Sequence, residues 1–309
     1  NPQTSVTSNS GARPDVIIGF SDVPNIYADK LIELTDVADY LGKRYGGWQP
    51  PAQKYCKRNK SDAWIGLPFG ASGGPLIYRK SILQSVGFDK VPEDHAGILD
   101  LCRKLQKAGK PAGFALGNAK GDGNGFANWV LWSHNASLLD EEGNVIINSK
   151  ETVAALKWLK ELYPTFIAGT PSWNDVSNNR AYSSGEISLT ANGVSLYFSL
   201  KNDPATAAMA EDTEHQLLPK GVAKISPMAG LTLNAMVFKH SQYPNAAKAF
   251  LQFMLEREQY QPWLNANSGY WSQPLAAYAD AAVWSGDPKV KIFKDTMAST
   301  YYDGYKGPI

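Results

Sequence analysis

The chain is short of the side chains that most often carry chemistry. Among its 309 residues only two are cysteine, Cys56 and Cys102, and four are histidine, His95, His134, His215 and His240. The cysteines show no metal-site spacing, and two positions do not specify a disulfide. The histidines are scattered, so no histidine, cysteine or serine constellation stands out as a nucleophilic centre. Charge of one sign is also lacking. Thirty Lys and Arg face 29 Asp and Glu, a net +1, so nothing in the charge argues for nucleic acid or an anionic membrane surface as partner. No apolar run is long enough to span a bilayer. No signal-peptide pattern is present either, which for a secreted protein implies a mature or trimmed chain. Internal repeats and low-complexity tracts are absent.

Aromatic residues are plentiful, with nine Trp and 15 Tyr. Such rings can stack on sugars, although most large aromatics fill cores. Hydrophobic residues make up 43% and charged residues 19%, an ordinary soluble balance, and the length suffices for two globular lobes.

Residues 67–80, LPFGASGGPLIYRK, organise the rest. Leu67-Pro68 leads into Gly70-Ala71-Ser72-Gly73-Gly74, and Leu76-Ile77-Tyr78 then ends in Arg79-Lys80. Two strands with a flexible join could pass from one lobe to another; a hairpin or bulge within one sheet is the other reading. Phe69 and Ser72 face a cleft if this is a hinge. Upstream, residues 1–13 read as a polar loop or frayed end. Pro14-Asp15-Val16-Ile17-Ile18-Gly19-Phe20 is a continuous apolar run, as expected of a buried parallel strand. Ligands of open α/β sheets sit outside strand carboxyl ends, which makes Phe20, Ser21 and Asp22 site candidates. For Asp22 a turn or helix cap is equally open.

Downstream, 27–40 has helical spacing at Leu31, Leu34, Val37 and Ala38. Residues 98–107 repeat that spacing, and Asp94 can cap that helix. Phe114-Ala115-Leu116-Gly117 reads as a strand, followed by the glycine-rich loop 118–125, which lacks phosphate-loop spacing. Phe126, Trp129 and Trp132 are spaced by three on the next helix, so neighbours share a face. Asn148 to Glu151 resembles a capping box, with Val153, Leu156, Leu159 and Leu162 along one side of its helix. Trp173 precedes a short helix, and 244–256 is a helix striped by Ala247, Phe250, Leu251 and Met254.

Together these stretches resemble the extracellular solute-binding proteins of ABC importers, in the sugar-binding branch that includes maltose-binding protein. The motifs are Gly66-Leu67-Pro68, Leu76-Ile77-Tyr78-Arg79-Lys80 and Gly87-Phe88-Asp89-Lys90-Val91-Pro92, then Ser184-Gly185-Glu186 running to Asn192-Gly193, Leu217-Leu218-Pro219-Lys220-Gly221, Ser226-Pro227-Met228-Ala229-Gly230-Leu231, and Asn267-Ser268-Gly269-Tyr270-Trp271-Ser272-Gln273-Pro274. They run in family order over nearly the whole chain. Two departures stand out. Asp94-His95 and Gly97 replace the usual Thr-Trp and Glu, and Ser195 stands where a tryptophan is common.

The resemblance implies an α/β fold of the periplasmic binding protein-like type II class, with two lobes joined by hinge crossovers and a ligand cleft between them. It places lobe 1 at 1–77 and 232–272 and lobe 2 at 78–231 and 273–309, with the chain truncated at both ends. The cysteines then fall in different lobes as free, buried thiols. It implies a monomer in the periplasm, or lipid-anchored outside a Gram-positive cell. That monomer binds a mono- or oligosaccharide and delivers it by hinge closure to a membrane permease with its ATPase, with no cofactor and no metal. The ligand set it suggests is Phe20, Ser21, Asp22, Phe69, Ser72, Asn124, Phe126, Trp129, Trp173, Asn192, Tyr197, Tyr270 and Trp271. Another solute, such as a polyol, glycerophosphodiester or peptide, is the alternative. An anionic one would call on Arg180 or Lys120. A glycoside hydrolase would need paired carboxylates, which Asp22 and Asp175 could supply.

Overall fold

A computed structural model describes residues 14–117, 121–223, 228, 230–302 and 304–307. The polar start, Lys120, and Ser226, Pro227 and Ala229 of the expected second crossover lie outside the described residues.

In chain order, β1 is Val16–Phe20, α1 Thr35–Arg44, α2 Pro50–Cys56, β2 Leu67–Gly73, β3 Leu76–Arg79 and α3 His95–Lys107. Next come α4 Asp122–Trp132, α5 Lys150–Leu162, α6 Ser177–Ser183, β4 Leu189–Ala191 and α7 Val194–Asn202. Finally β5 is Thr213–Gln216, β6 Gly230–Val237, α8 Pro244–Leu255 and α9 Arg257–Ala266.

The described chain forms two compact units. Unit 1 runs to Ser72, resumes over Gly230–Ala298 and takes up the chain again from Tyr302. Its sheet has the order β1-β6-β2. β1 pairs with β6 antiparallel, Val16 opposite Val237 and Phe20 opposite Leu233. The expected parallel strand buried on both faces is therefore corrected. The burial alternates, with Ile17 in the core while Ile18 and Phe20 are 55% and 48% exposed, the pattern of a sheet open on one side. Ile17, Leu31, Ile65, Met236 and Phe238 form one core cluster. The helix expected over 27–40 begins only at Thr35, and Leu31 instead bridges to Phe238.

Unit 2 comprises Gly73–Ala229 and Ser299–Tyr301. Its sheet has the order β4-β3-β5, with both pairings antiparallel. β2 and β3 thus belong to different sheets, so 67–80 is a passage between units and not a hairpin. Leu76, Leu101, Leu105, Phe114, Phe126, Trp129 and Phe166 are among the core residues. Asp94 caps α3 by accepting from the Gly97 N–H at 2.8 Å. A Cβ at position 97 would lie 2.5 Å from the Pro92 Cβ, so this turn accommodates Gly97 closely.

Three local expectations differ. Ser149, not Asn148, caps α5, accepting from Thr152 N at 3.1 Å. On that helix Thr152, Ala155 and Leu162 are buried, while Val153 and Leu156 face solvent; on α8 the stripe is Ala247, Leu251 and Leu255, with Phe250 exposed. Residues 114–117 form no strand; Ala112 makes isolated bridges to Phe166 and Leu189.

The division of the chain also differs from 1–77 and 232–272 against 78–231 and 273–309. Residues 73–77 lead into β3 and go with unit 2. Most of the carboxyl segment goes with unit 1, held by the Trp48–Leu275 bridge, the Gln49 N–H donated to Pro274 O at 2.8 Å, and Tyr278 stacked on Tyr260 at 4.9 Å. Cys56 and Cys102 are free and buried, one in each unit. Burial pushes the Cys102 thiol up to about 12, against a hydrogen bond with Thr165, which leaves it unreactive.

Candidate functional site

In unit 1 a set of predicted residues gathers at the carboxyl end of β1. Ser21 adopts a left-handed φ of 47°, uncommon for a residue with a side chain and costly unless its surroundings hold it. Its N–H donates to Thr232 O at 3.0 Å, and its carbonyl accepts from the Asn234 amide at 2.8 Å. This bend turns the chain from β1 into the single helical turn Val23–Ile26. Asp22 stands at the N-cap position of that turn but makes no side-chain cap hydrogen bond. Its carboxylate accepts instead from the Tyr302 hydroxyl, so the simple cap reading does not hold.

Two residues earlier in the chain, Phe20 stacks on Trp271 with centroids 6.2 Å apart and planes 16° from parallel, and Tyr270 meets Trp271 edge-on at 5.2 Å. Gly70 makes this arrangement possible. A Cβ there would come within 2.7 Å of the Trp271 Cβ and 2.9 Å of Ser272 O, so the loop carrying the indole packs directly on β2. A carboxylate can pair with hydroxyls, and partly exposed rings can cover C–H faces. Phe69 does not join them. It is buried, its carbonyl accepts from the Tyr260 hydroxyl, and its ring meets Trp263 edge-on. Ser72, half-buried, ends the first segment of unit 1.

Unit 2 carries a separate polar group around the start of α4. Asp175 accepts from the backbone N–H groups of Gly121 and Asp122 at 3.2 and 2.9 Å, which ties its carboxylate to the start of that helix. The Asn178 amide donates to Asp122 at 2.7 Å and to Ala191 O at 3.1 Å. Asn192 is buried, with its amide bonded to Asn179 and its side-chain oxygen accepting from Gly193 N. Asn124 is exposed on the first turn of α4, and Trp173 is half-buried against Gly113.

Phe126, Trp129 and Tyr197 are core residues. Phe126 and Trp129 pack on Phe114, and Trp129 donates its indole N–H to Pro219 O at 2.9 Å. Tyr197 meets His215 edge-on. A serine and two histidines do meet in this unit. His95 Nε2 lies 3.0 Å from Ser133 Oγ, and the His95 and His134 rings stack at 3.8 Å. Ser133 is fully buried, so this is packing and not an accessible nucleophile.

Asp122, Asn178, Asn179 and Tyr302 escaped the sequence reading. Asp122 opens α4 inside what reads as loop, and the others mark no motif. Burial pushes the Asp122 carboxyl up to about 6, opposed by the Asn178 donor and reinforced by the Asp175 carboxylate. An unfolded aspartate titrates near 3.9, so the folded chain holds this proton more tightly. Stability is therefore expected to fall as pH rises from about 4 to about 6, by up to about 3 kcal/mol. Denaturant unfolding across that window checks this: Asp122→Asn should flatten the slope, and an unchanged slope would contradict the assignment.

The profile of the bacterial extracellular solute-binding proteins matches residues 2–292. An Escherichia coli (strain K12) protein, YcjN, named for an ABC transporter periplasmic-binding role, is 23% identical over 296 residues, 94% of this chain and 67% of that one. Among solved structures, Thermotoga maritima MalE3 with maltose bound superposes with a TM-score of 0.73 at 24% identity, over 92% of this chain and 71% of that one. The cyclic α-maltosyl-1,6-maltose binding protein of Arthrobacter globiformis does so with a TM-score of 0.76 at 18% identity, over 98% and 77%. These likenesses bear out the type II binding-protein fold. With the profile covering most of its length, the chain belongs to the bacterial extracellular solute-binding protein family.

Proposed function

We propose that this protein is the substrate-binding component of an ABC importer and that its solute is a neutral carbohydrate. The observation that carries the reading is the end of β1, where the Phe20 ring stacks on Trp271 and Asp22 follows two residues later with its carboxylate accepting from the Tyr302 hydroxyl. Sugar hydroxyls removed from water need partners, and a carboxylate gives the stronger, charge-assisted kind. Aromatic faces suit the C–H patches of the ring, and a few placed polar groups on apolar walls are what a small-molecule site requires. Within unit 2, Asn124, Asp122 and Trp173 are that unit's own candidates for sugar contact, whereas Phe126, Trp129 and Tyr197 there, like Phe69 in unit 1, are buried and serve packing. The two solved relatives described above hold or are named for maltose-type sugars. The partners would be a permease and its ATPase, and the protein would work in the periplasm as a monomer.

A thermal-shift screen tests this. Monosaccharides, oligosaccharides, polyols, glycerol phosphates and amino acids are compared at matched concentration. A ligand of the folded state stabilises by about 2.7 kcal/mol at a hundredfold excess over its Kd. A shift with a neutral sugar is expected. A shift with amino acids alone would reject the carbohydrate while keeping the family.

A further inference from the structure

Unit 1 holds a pocket of about 400 Å³ whose walls include Lys54, Lys57, Arg58 and Lys60 together with the Gln53 and Asn59 amides. No carboxylate lines it among the described residues. The volume suits a small molecule, for which sites of roughly 300–1,000 Å³ are usual. Four basic residues line this one space, and the pairing they find is partial. Lys57 pairs with Asp62 at 2.9 Å and Arg58 with Asp29 at 3.0 Å, but those carboxylates lie 101% and 95% exposed in solvent, where pairing is weak and screened. Among the described residues Lys54 reaches the Tyr302 carbonyl, at 2.9 Å. Lys60 has no carboxylate partner among the described residues.

The turn that presents these charges is held in place from beneath. Buried Asn25 donates to Lys57 O at 3.0 Å and accepts from Asn59 N at 2.8 Å. Arg58 donates to Ala28 O at 2.8 Å, and its N–H bonds Ala63 O at 2.8 Å. Lys60 is set in a left-handed conformation, φ 57°. Such prior ordering lowers the entropy lost on binding. The pocket also adjoins the β1 end. Tyr302 takes the Lys54 ammonium on its carbonyl, gives its hydroxyl to Asp22 and stacks on Tyr55 at 3.8 Å.

We propose that this pocket is a site for a small oxyanion, a phosphate or carboxylate group, either free or carried on a sugar. The inference stands apart from the neutral-carbohydrate reading, because it rests on the basic turn and not on the Phe20–Trp271 face.

Calorimetric titration of inorganic phosphate at low and high salt is the test, followed by glucose 6-phosphate against glucose. The comparison variant is Lys54→Gln with Lys60→Asn. Both side chains are exposed and outside the bonds that anchor the turn, and asparagine tolerates the left-handed backbone. Phosphate is expected to bind, more weakly at high salt, and the double variant to lose at least about tenfold in affinity with its ligand-free melting temperature unchanged. Glucose 6-phosphate binding more tightly than phosphate would identify a phosphorylated sugar as the source; equal affinity would identify the free anion. Absence of binding by phosphate and glucose 6-phosphate at millimolar concentration overturns the proposal, as does binding that the double variant leaves intact. Neither of those failures touches neutral-sugar binding, which the screen above measures separately.

Discussion

Trp129→Ala is expected to lower the unfolding free energy by about 3–5 kcal/mol, the usual cost of emptying a large aromatic site in a core. Trp129 is 2% exposed, packs against Phe114, Phe126 and Trp158, and spends its indole N–H on Pro219 O. Truncation therefore removes apolar contact and leaves a buried carbonyl without its donor. Chemical denaturation of the ligand-free chain measures the loss. A site role for Trp129 predicts the opposite pattern: unfolding little changed and ligand affinity collapsed.

Asp22→Asn is expected to weaken the bound sugar by about 1.5–3 kcal/mol, the worth of a hydrogen bond to a charged group, or roughly 10- to 150-fold in Kd. Asparagine keeps the shape and one acceptor oxygen, so the Tyr302 hydroxyl retains a partner and the ligand-free melting temperature should move little. Calorimetry of wild type and variant with the same sugar decides it. Equal affinities would show that Asp22 serves Tyr302 alone.

Order in the sequence carried much of the fold. The Leu67-Pro68 and Leu76-Ile77-Tyr78 runs do leave one sheet and enter another, because small residues between two apolar runs allow the chain to change course. The end of β1 was readable for a similar reason, since an apolar run stopping at Ser-Asp marks where a strand ends. Its antiparallel pairing was not readable. Apolar content alone does not say which face is covered, and Ile18 and Phe20 are on the open one.

Spacing likewise told that Phe126 and Trp129 share a helix face but not where that face points. Phe114 and Phe166, remote in sequence, draw it into the core. Asn192 lay on a recognisable motif, yet its amide is engaged by Asn179. Tyr302 and Asp22 are 280 residues apart, and no local pattern joins them. The basic run Lys57-Arg58-Asn59-Lys60 is plain in the sequence; the pocket it lines depends on Asn25, which holds the turn from another element.

The measurement that bears most directly on the proposed function is calorimetric titration of neutral mono- and oligosaccharides into the chain, with the sugar recovered afterwards. The expected result is saturable binding of a neutral sugar at one site, weakened by Asp22→Asn, with the sugar recovered unaltered. Binding of none of these sugars, or recovery of a cleaved one, would contradict a carbohydrate-delivering binding protein.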